Sequence, residues 1–432
     1  MTWPVAKIAP QPWMKEAPTR SLLKALDAAG IGARFVGGCV RDALLGCPIA
    51  DIDLATPALP EEVTAALIKA GIKVVPTGIA HGTVTAVVHS RSTSGATPAG
   101  PPRHFEITTL RRDVETYGRH ARVAFDADWA DDAARRDFTI NAIYLDPGGT
   151  VHDPVGGLAD LEARRVRFVG DAATRIAEDL LRVLRYYRFE ARFGAGPGQE
   201  RENDRGDPEA RVACRAAAPL LPKLSGERVA QELIRLLAVP DPVPVLHMMQ
   251  DDGVLAAILP EAGCVDRLAK LIALEPEPDP LRRLAALVEV DANGAAGIAE
   301  RLRLSNAWRD RLVGLAAPWP IELHSSPAGD DRAQRRAVYR LGTERYRDLA
   351  LLTAAQGGID KGRLNKMLAV AAGWSPPAFP LAGRDVTALG IPPGPRIGEL
   401  LAEVRHWWEE GDFAADHAAC LKRLHAIRGA TG

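Results

Sequence analysis

The rhythm of apolar and polar positions changes along the chain. Over the first 150 residues, short β-type runs are interleaved with short helical ones. Leu22, Leu23 and Leu26 put one apolar face on a helix over 21–34, and Phe35-Val36 reads as the end of a short strand. Helical spacing returns in Val40–Leu45, and Ile49–Leu54 reads as a strand. Pro60-Glu61-Glu62 opens a helix that runs to Ala70 and is stopped by Gly71. Residues 72–89 predict strands around a Thr77-Gly78 turn, with Thr83–Val88 the clearest run. His104–Leu110 alternates in the same way, and Ala142–Leu145 is a further apolar strand. From about residue 211 the period is helical almost throughout, as in Arg228–Leu237, Pro244–Met249, Leu281–Val290, Arg332–Leu341 and Arg345–Ala355. The pattern predicts a small mixed sheet with helices, ending near residue 150, and an all-helical remainder. Ser90–Arg103 and Gly194–Asp207 are too rich in Ser, Gly, Pro and charge to pack, and read as surface insertions. Pro-rich breaks at 276–280, 318–327 and 375–380 mark hinges between helical subdomains.

The most informative stretch is 35–56, FVGGCVRDALLGCPIADIDLAT. Paired glycines at a strand-to-helix step, Gly37-Gly38, let a ligand approach the backbone and leave helical N–H groups free for a phosphate. Arg41 adds a side-chain charge there. Asp51 and Asp53 lie two apart on a strand and therefore project from one face. Two adjacent carboxylates repel unless a cation sits between them, and hard oxygen donors suit Mg²⁺. Each piece alone has a plainer reading, a solvated edge or a turn; joined in one strand–helix–strand unit they favour a nucleotide–metal site.

Other motifs extend this reading. Glu106, in FEITTLR, is a strand carboxylate that either completes a three-carboxylate cage or lies on the surface. Arg111–Phe125 is charged, Gly-containing and poorly periodic, as a flexible loop or a solvated turn would be. In Ala134–Ala142, ARRDFTINA, Arg135 and Arg136 suit a bidentate clamp on a triphosphate; the competing reading is a salt bridge to Asp137. In Glu178–Phe189, EDLLRVLRYYRF, the residues Ile176, Leu180, Val183, Leu184 and Tyr187 form one stripe on a single helix. Asp179 and Arg182 are neighbours on its other side, able to read a base edge as acceptor and donor or to form an ordinary ion pair. Arg185 and Arg188 continue the three-residue spacing but turn around the helix.

Length and composition narrow the class. At 432 residues the chain exceeds one domain, and 47% hydrophobic with 25% charged residues is an ordinary globular balance. A net charge of −1 excludes a polycation, so any RNA surface is local; residues 161–193 offer one, with eight arginines against five acids. No apolar run approaches the ~20 residues of a membrane helix. The start has neither an apolar signal core nor the arginines of a transit peptide. Five scattered cysteines without a C-x-x-C imply no zinc or disulfides and a cytoplasmic location.

GG-x-x-RD followed by D-x-D, together with RRDFTINA, resembles the head of the nucleotidyltransferase family that contains class II CCA-adding enzymes and bacterial poly(A) polymerases. HDPVGGLADL from His152, E-D-x-x-R and LSGER at Leu224–Arg228 add to the resemblance, and LAGRDVTALGIPPGPRIGELL at 381–401 resembles the family tail. It implies an α+β nucleotidyltransferase head over 1–150, then an all-α neck (151–240), body (241–375) and RNA-binding tail (376–432). The activity it implies is transfer of nucleotides from CTP and ATP to the 3′ end of tRNA or another RNA. In that scheme Asp51 and Asp53 hold Mg²⁺ beside Glu106, and Gly38, Arg41 and Arg136 hold the triphosphate. Asp179 and Arg182, with Arg185 and Arg188, contact and select the base. HGTVT at 81–85, FEITTLR and the DVETYGRHA loop lean toward CCA addition, although Tyr117 stands where many members carry an acid. The alternatives are a poly(A) polymerase, an enzyme adding only CC or only A, and an RNA-binding protein with an inactive head.

Overall fold

The structure is a computed structural model and describes residues 4–49, 51–75, 78–79, 82–89, 101–117, 120–125, 127–194, 206–317 and 331–430. His81, Thr77, the 318–327 break and most of both expected insertions lie outside the described residues. Its contacts divide the chain into two units, Met1–Ile258 and Leu259–Gly432.

The first unit is built on one eight-stranded sheet. Its strands are β1 (Pro4–Lys7), β2 (Arg34–Val36), β3 (Ile52–Thr56), β4 (Lys73–Val75), β5 (Thr83–Val88), β6 (Arg103–Thr109), β9 (Tyr144–Leu145) and β10 (Thr150–His152). They lie in the order β1-β10-β9-β2-β3-β6-β5-β4, while β7 (Arg112–Tyr117) and β8 (His120–Ala124) form a separate two-stranded arm. The sheet is mixed: β3 and β6 are parallel and the remaining neighbours antiparallel. Two features differ from the periodicity. The Arg111–Phe125 loop is largely a hairpin, closed at its exit by the Phe125 ring packed over Gly82. The sheet also extends past residue 150, where β10 takes the N-terminal β1 as its edge partner. β1 is short and begins with proline, which removes the alternation that would reveal it.

The helices of this unit are α1 (Ala17–Asp27), α2 (Gly38–Leu44), α3 (Pro60–Lys69), α4 (Trp129–Ala134), α5 (Gly157–Glu162), α6 (Ala172–Glu178), α7 (Leu181–Phe193), α8 (Pro208–Ala217), α9 (Gly226–Leu237), α10 (Val243–Asp251) and α11 (Val254–Ile258). Local chemistry sets several of their starts. The Leu59 amide donates to Glu62 at 2.8 Å, and Asp171 and Asp207 accept from Thr174 N and Ala210 N at 2.7 and 3.1 Å. The expected single helix through Ile176–Phe189 is broken, because Asp179 takes an extended backbone and its carboxylate accepts from the Leu181 amide at 3.1 Å. An Asp that can cap a new helix competes with one that continues the old. The apolar stripe is nevertheless buried at Ile176, Val183, Leu184 and Tyr187.

The ARRDFTINA segment plugs into α7 through its aromatic residue. The Phe138 ring lies 4.9 Å from Phe168 and 5.0 Å from Phe189, and the backbone of 137–139 is tied to Arg167 and Val169. The HDPVGGLADL segment braces this junction. Asp153 accepts from the Gly157 and Leu158 amides, and the fully buried Asp160 accepts from Thr139 at 2.7 Å and Arg165 at 2.6 Å. Gly157 packs so tightly that a Cβ there would lie 2.1 Å from the Thr139 carbonyl oxygen.

The second unit is helical, with one isolated bridge between Ala262 and Val288 among its described residues. Arg282 donates to Glu275 and Asp348, and Arg311 to Asp348 and Asp279, a network that ties its first helices to Thr343–Ala355. Its last three helices, Gly383–Thr387, Pro395–Glu410 and His417–Ala430, enclose Val386, Leu400, Val404, Trp408, Cys420 and Leu424. No helix among the described residues is long and apolar enough to cross a membrane.

One buried group in α7 makes stability depend on pH. Burial, reinforced by Asp207, pushes the Glu190 carboxyl up to about 8, and one of its oxygens has no hydrogen-bond partner. The folded state therefore keeps a proton that the unfolded chain releases, and this contribution is lost as pH rises toward about 8. Glu190→Gln should flatten the fall in melting temperature between pH 6 and 9; an identical slope in both proteins would show that Glu190 is ionised in the fold.

Candidate active site

Antiparallel pairing of β2 with β3 puts Val36 opposite Asp53, so the chain leaves β2 into Gly37 directly beside that carboxylate. Gly37 has φ +75°, a left-handed conformation that suits glycine. A Cβ at Gly37 would lie 3.8 Å from Arg136 Nη1 and 3.9 Å from Asp53 Oδ2. The glycine turn, the D-x-D strand and the RRDFTINA segment thus meet at one point, although more than eighty residues separate the last two. Gly38 opens α2, with Arg41 Nη2 3.6 Å from where its Cβ would stand.

Parallel pairing of β3 with β6 sets Asp53 in register with Glu106, and Asp51 lies just before β3. Burial first, then the like charge of Glu106 and more weakly that of Asp51, push the Asp53 carboxyl up to about 6 against the pull of Arg136. Such a concentration of oxygen donors suits a hard divalent cation. No three His, Cys, Asp or Glu side chains among the described residues gather into a protein-only cage.

The arginines are already paired. Arg136 donates through Nη2 to Asp132 at 2.9 Å, and Arg135 donates through Nε to the same carboxylate at 2.9 Å. Tyr144 donates to it as well, at 2.8 Å. Burial opposes ionisation of Asp132, yet Arg136 and Arg135 hold its carboxyl at about 2. The salt bridge of these arginines to Asp137 expected as the plainer reading is replaced by one to Asp132, three and four residues back on α4. Asp137 instead accepts from Arg185 Nε at 2.8 Å and Asn141 Nδ2 at 3.0 Å; burial opposes its charge, and Arg185 holds it at about 2. Arg41 donates to Asp42 at 2.8 Å and to Asn141 Oδ1 at 2.6 Å, and is itself buried.

The Asp179–Arg182 ion pair, the plainer reading of their spacing, does not form. Asp179 accepts from Arg228 of α9 at 2.6 Å, whereas Arg182 donates to Glu178 at 2.5 Å and to the Arg175 carbonyl at 3.0 Å. The break after α6 is the reason, since the two residues no longer share one helix surface. Asp179, Arg228, Lys223, Glu227 and Gln231 line a cleft of about 1040 Å³ between the α6–α7 corner and α9. Arg185 and Arg188 part company: the first turns to Asp137, the second to buried Glu232 of α9 at 2.5 Å. Asp132 carried a local signal, its spacing to Arg135 and Arg136. Arg228 carried none, because its partner is forty-nine residues away.

Comparison with known proteins agrees with this geometry. The model of the poly A polymerase head domain matches residues 33–167, and that of the probable RNA and SrmB-binding site of polymerase A matches 207–264. The mitochondrial CCA tRNA nucleotidyltransferase 1 of Danio rerio is 35% identical over 396 residues, covering 90% of this chain and 86% of the relative. The chain belongs to the CCA-adding tRNA nucleotidyltransferase family. The CCA-adding enzyme of Geobacillus stearothermophilus is 32% identical over 391 residues, 88% of this chain and 89% of that one. The crystal structure of the Bacillus stearothermophilus CCA-adding enzyme in complex with CTP superimposes with a TM-score of 0.75 at 29% identity, covering 98% and 99% of the two chains. Members of this family are metal-dependent nucleotidyltransferases.

With its carboxyl raised, Asp53 as a cation ligand would make binding compete with a proton. Affinity for Mg²⁺ or Mn²⁺, measured calorimetrically, should be flat above pH 7 and weaken by about tenfold per pH unit below about 6. Glu106→Gln should move that midpoint down by removing a like charge; an affinity independent of pH would remove Asp53 from the cation site.

Proposed function

We propose that this tRNA nucleotidyltransferase builds the CCA end of tRNA by adding C, C and A from CTP and ATP, releasing pyrophosphate at each step. The observation that carries the reading is the meeting of Gly37, Asp53 and Arg136 at one turn, within a chain that matches a CTP-bound CCA-adding enzyme from end to end. The RNA 3′-oxygen attacks the α-phosphorus as the bond to the pyrophosphate bridge breaks.

In this reading Asp51 and Asp53 hold the divalent cation, Mg²⁺, with Glu106 beside them. When bound it supplies Lewis-acid activation of the 3′-hydroxyl and charge stabilisation for the leaving pyrophosphate. Gly37 and Gly38 leave room for phosphate oxygens, and Arg136 and Arg41 orient the triphosphate. Asp132 and Asp42 restrain those two arginines, so their donors are in place before the substrate arrives. Asp179, which lines the cleft between the α6–α7 corner and α9, chooses the base together with Arg182, and Arg185 and Arg188 follow on α7. Selection by an acceptor and a donor explains how one site takes both C and A and refuses the others, whose edges present different patterns. The helical second unit, ending in the tail at 376–432, carries the RNA. Five free cysteines suit a reducing compartment, which we take to be the cytoplasm.

Purified protein given tRNA without its 3′ end should add two nucleotides with CTP alone and three with CTP and ATP. A long ladder with ATP alone would make it a poly(A) polymerase. Asp53→Ala should lower addition of every nucleotide by about a thousandfold or more, the scale of losing a charge-stabilising group. Asp179→Ala should narrow the preference for CTP and ATP over UTP and GTP, read as ratios of kcat/KM; unchanged ratios would return Asp179 to a capping residue.

A further inference from the structure

Arg41 is held from three sides, by Asp42 and by two residues to which the reading above gives no task, Asn141 and Phe193. Its Nε donates to Asp42 at 2.8 Å, its Nη1 donates to Asn141 Oδ1 at 2.6 Å, and its guanidinium lies 4.0 Å from the centroid of the Phe193 ring. The Asn141 amide has only one workable orientation: arginine can only donate to it, and ionised Asp137, at 3.0 Å from its nitrogen, can only accept. Asp137 in turn accepts from Arg185. Arg185 and Phe193 are both on α7, eight residues and about 12 Å apart along its axis. The contacts therefore close a ring: Arg185, Asp137, Asn141, Arg41, Phe193 and back along the helix. Arg192 adds a second tie from the same end of α7, to Asp42 at 3.3 Å.

We propose that Asn141 and Phe193 are positioning residues for the triphosphate: without touching the nucleotide, they fix the Arg41 guanidinium at the glycine turn and so join phosphate binding to α7. The helix that follows the base-selecting corner at its start thereby sets the phosphate-binding arginine at its end. An arginine side chain has four rotatable bonds, and one acidic neighbour on its own helix does not select a single rotamer. The amide acceptor and the ring face do, the ring by attraction of the cation to its quadrupole. The inference rests on Arg41 binding the triphosphate.

The test is steady-state kinetics on Phe193→Leu, which keeps apolar volume but removes the ring face, and on Asn141→Ala, each also made with Arg41→Gln. In the otherwise unaltered enzyme each should raise KM for CTP and for ATP together, by about three- to thirtyfold for Phe193→Leu, with the CTP-to-UTP preference unchanged. With Arg41→Gln the further increase should shrink to about twofold or less, since the effect passes through Arg41. Should Phe193→Leu lose its cooperative melt, Asn141→Ala carries the same criterion. Unchanged KM in a folded variant, or the same fold-increase with and without Arg41, would overturn the inference and show that both residues only pack. An unaltered enzyme that adds no nucleotide would instead remove the functional reading itself.

Discussion

The parallel register of β3 and β6 sets Asp53 beside Glu106, and Asp51, just before β3, adds a weaker like charge, so acidic side chains face one another at one strand pair. Like charges in register are destabilising, and burial of Asp53 deepens the cost. A fold keeps such an arrangement only where something else answers the charge. One answer is Arg136, brought across the Gly37 turn; a divalent cation, with the phosphates it carries, would be the other. The left-handed Gly37, the antiparallel β2–β3 pairing and the docking of Phe138 against α7 all serve to bring those groups to the same few ångströms.

The arginines around the site share a second property. Arg41, Arg136, Arg185 and Arg188 each have an acidic partner, respectively Asp42, Asp132, Asp137 and Glu232, with carboxylates largely shielded from water. Buried pairs contribute little net stability, because desolvation offsets the attraction, but they fix geometry. A polyanionic substrate then meets donors already oriented, and loses less to their reorganisation than it would with free side chains. The Arg228–Asp179 contact extends the same logic to the α6–α7 corner, since it ties that carboxylate to α9.

Motifs confined to a few residues were readable in advance. Gly37-Gly38, Asp51-x-Asp53 and the RRDFTINA segment are short because their geometry is local: a turn, an alternating strand, an arginine pair at the end of a helix. The helical second unit was equally plain, because a 3.6-residue period is imposed on every helix that buries one face. Weakly patterned segments were not. The β7–β8 arm spans the charged, Gly-containing stretch Arg111–Phe125, which shows no alternation, and the proline-led β1 edge strand is too short to show any. The corner at Asp179 escaped for a different reason: a capping aspartate and a mid-helix aspartate look alike until the following amide is seen to donate to it.

By itself the sequence determined which chemical groups are available and which element carries each: the carboxylates on strands, the glycines at a turn, the arginines on a helix. These follow from backbone sterics and side-chain periodicity, which act over a few residues. Only the tertiary structure decided the partners. That Asp137 serves Arg185 rather than its neighbouring arginines, that Asp179 answers to Arg228, and that Phe193 closes over Arg41 depend on contacts spanning 48, 49 and 152 residues. Charges of one sign are interchangeable at the level of sequence; distance and burial in the folded chain distinguish them, because attraction between ions becomes selective only where water is excluded.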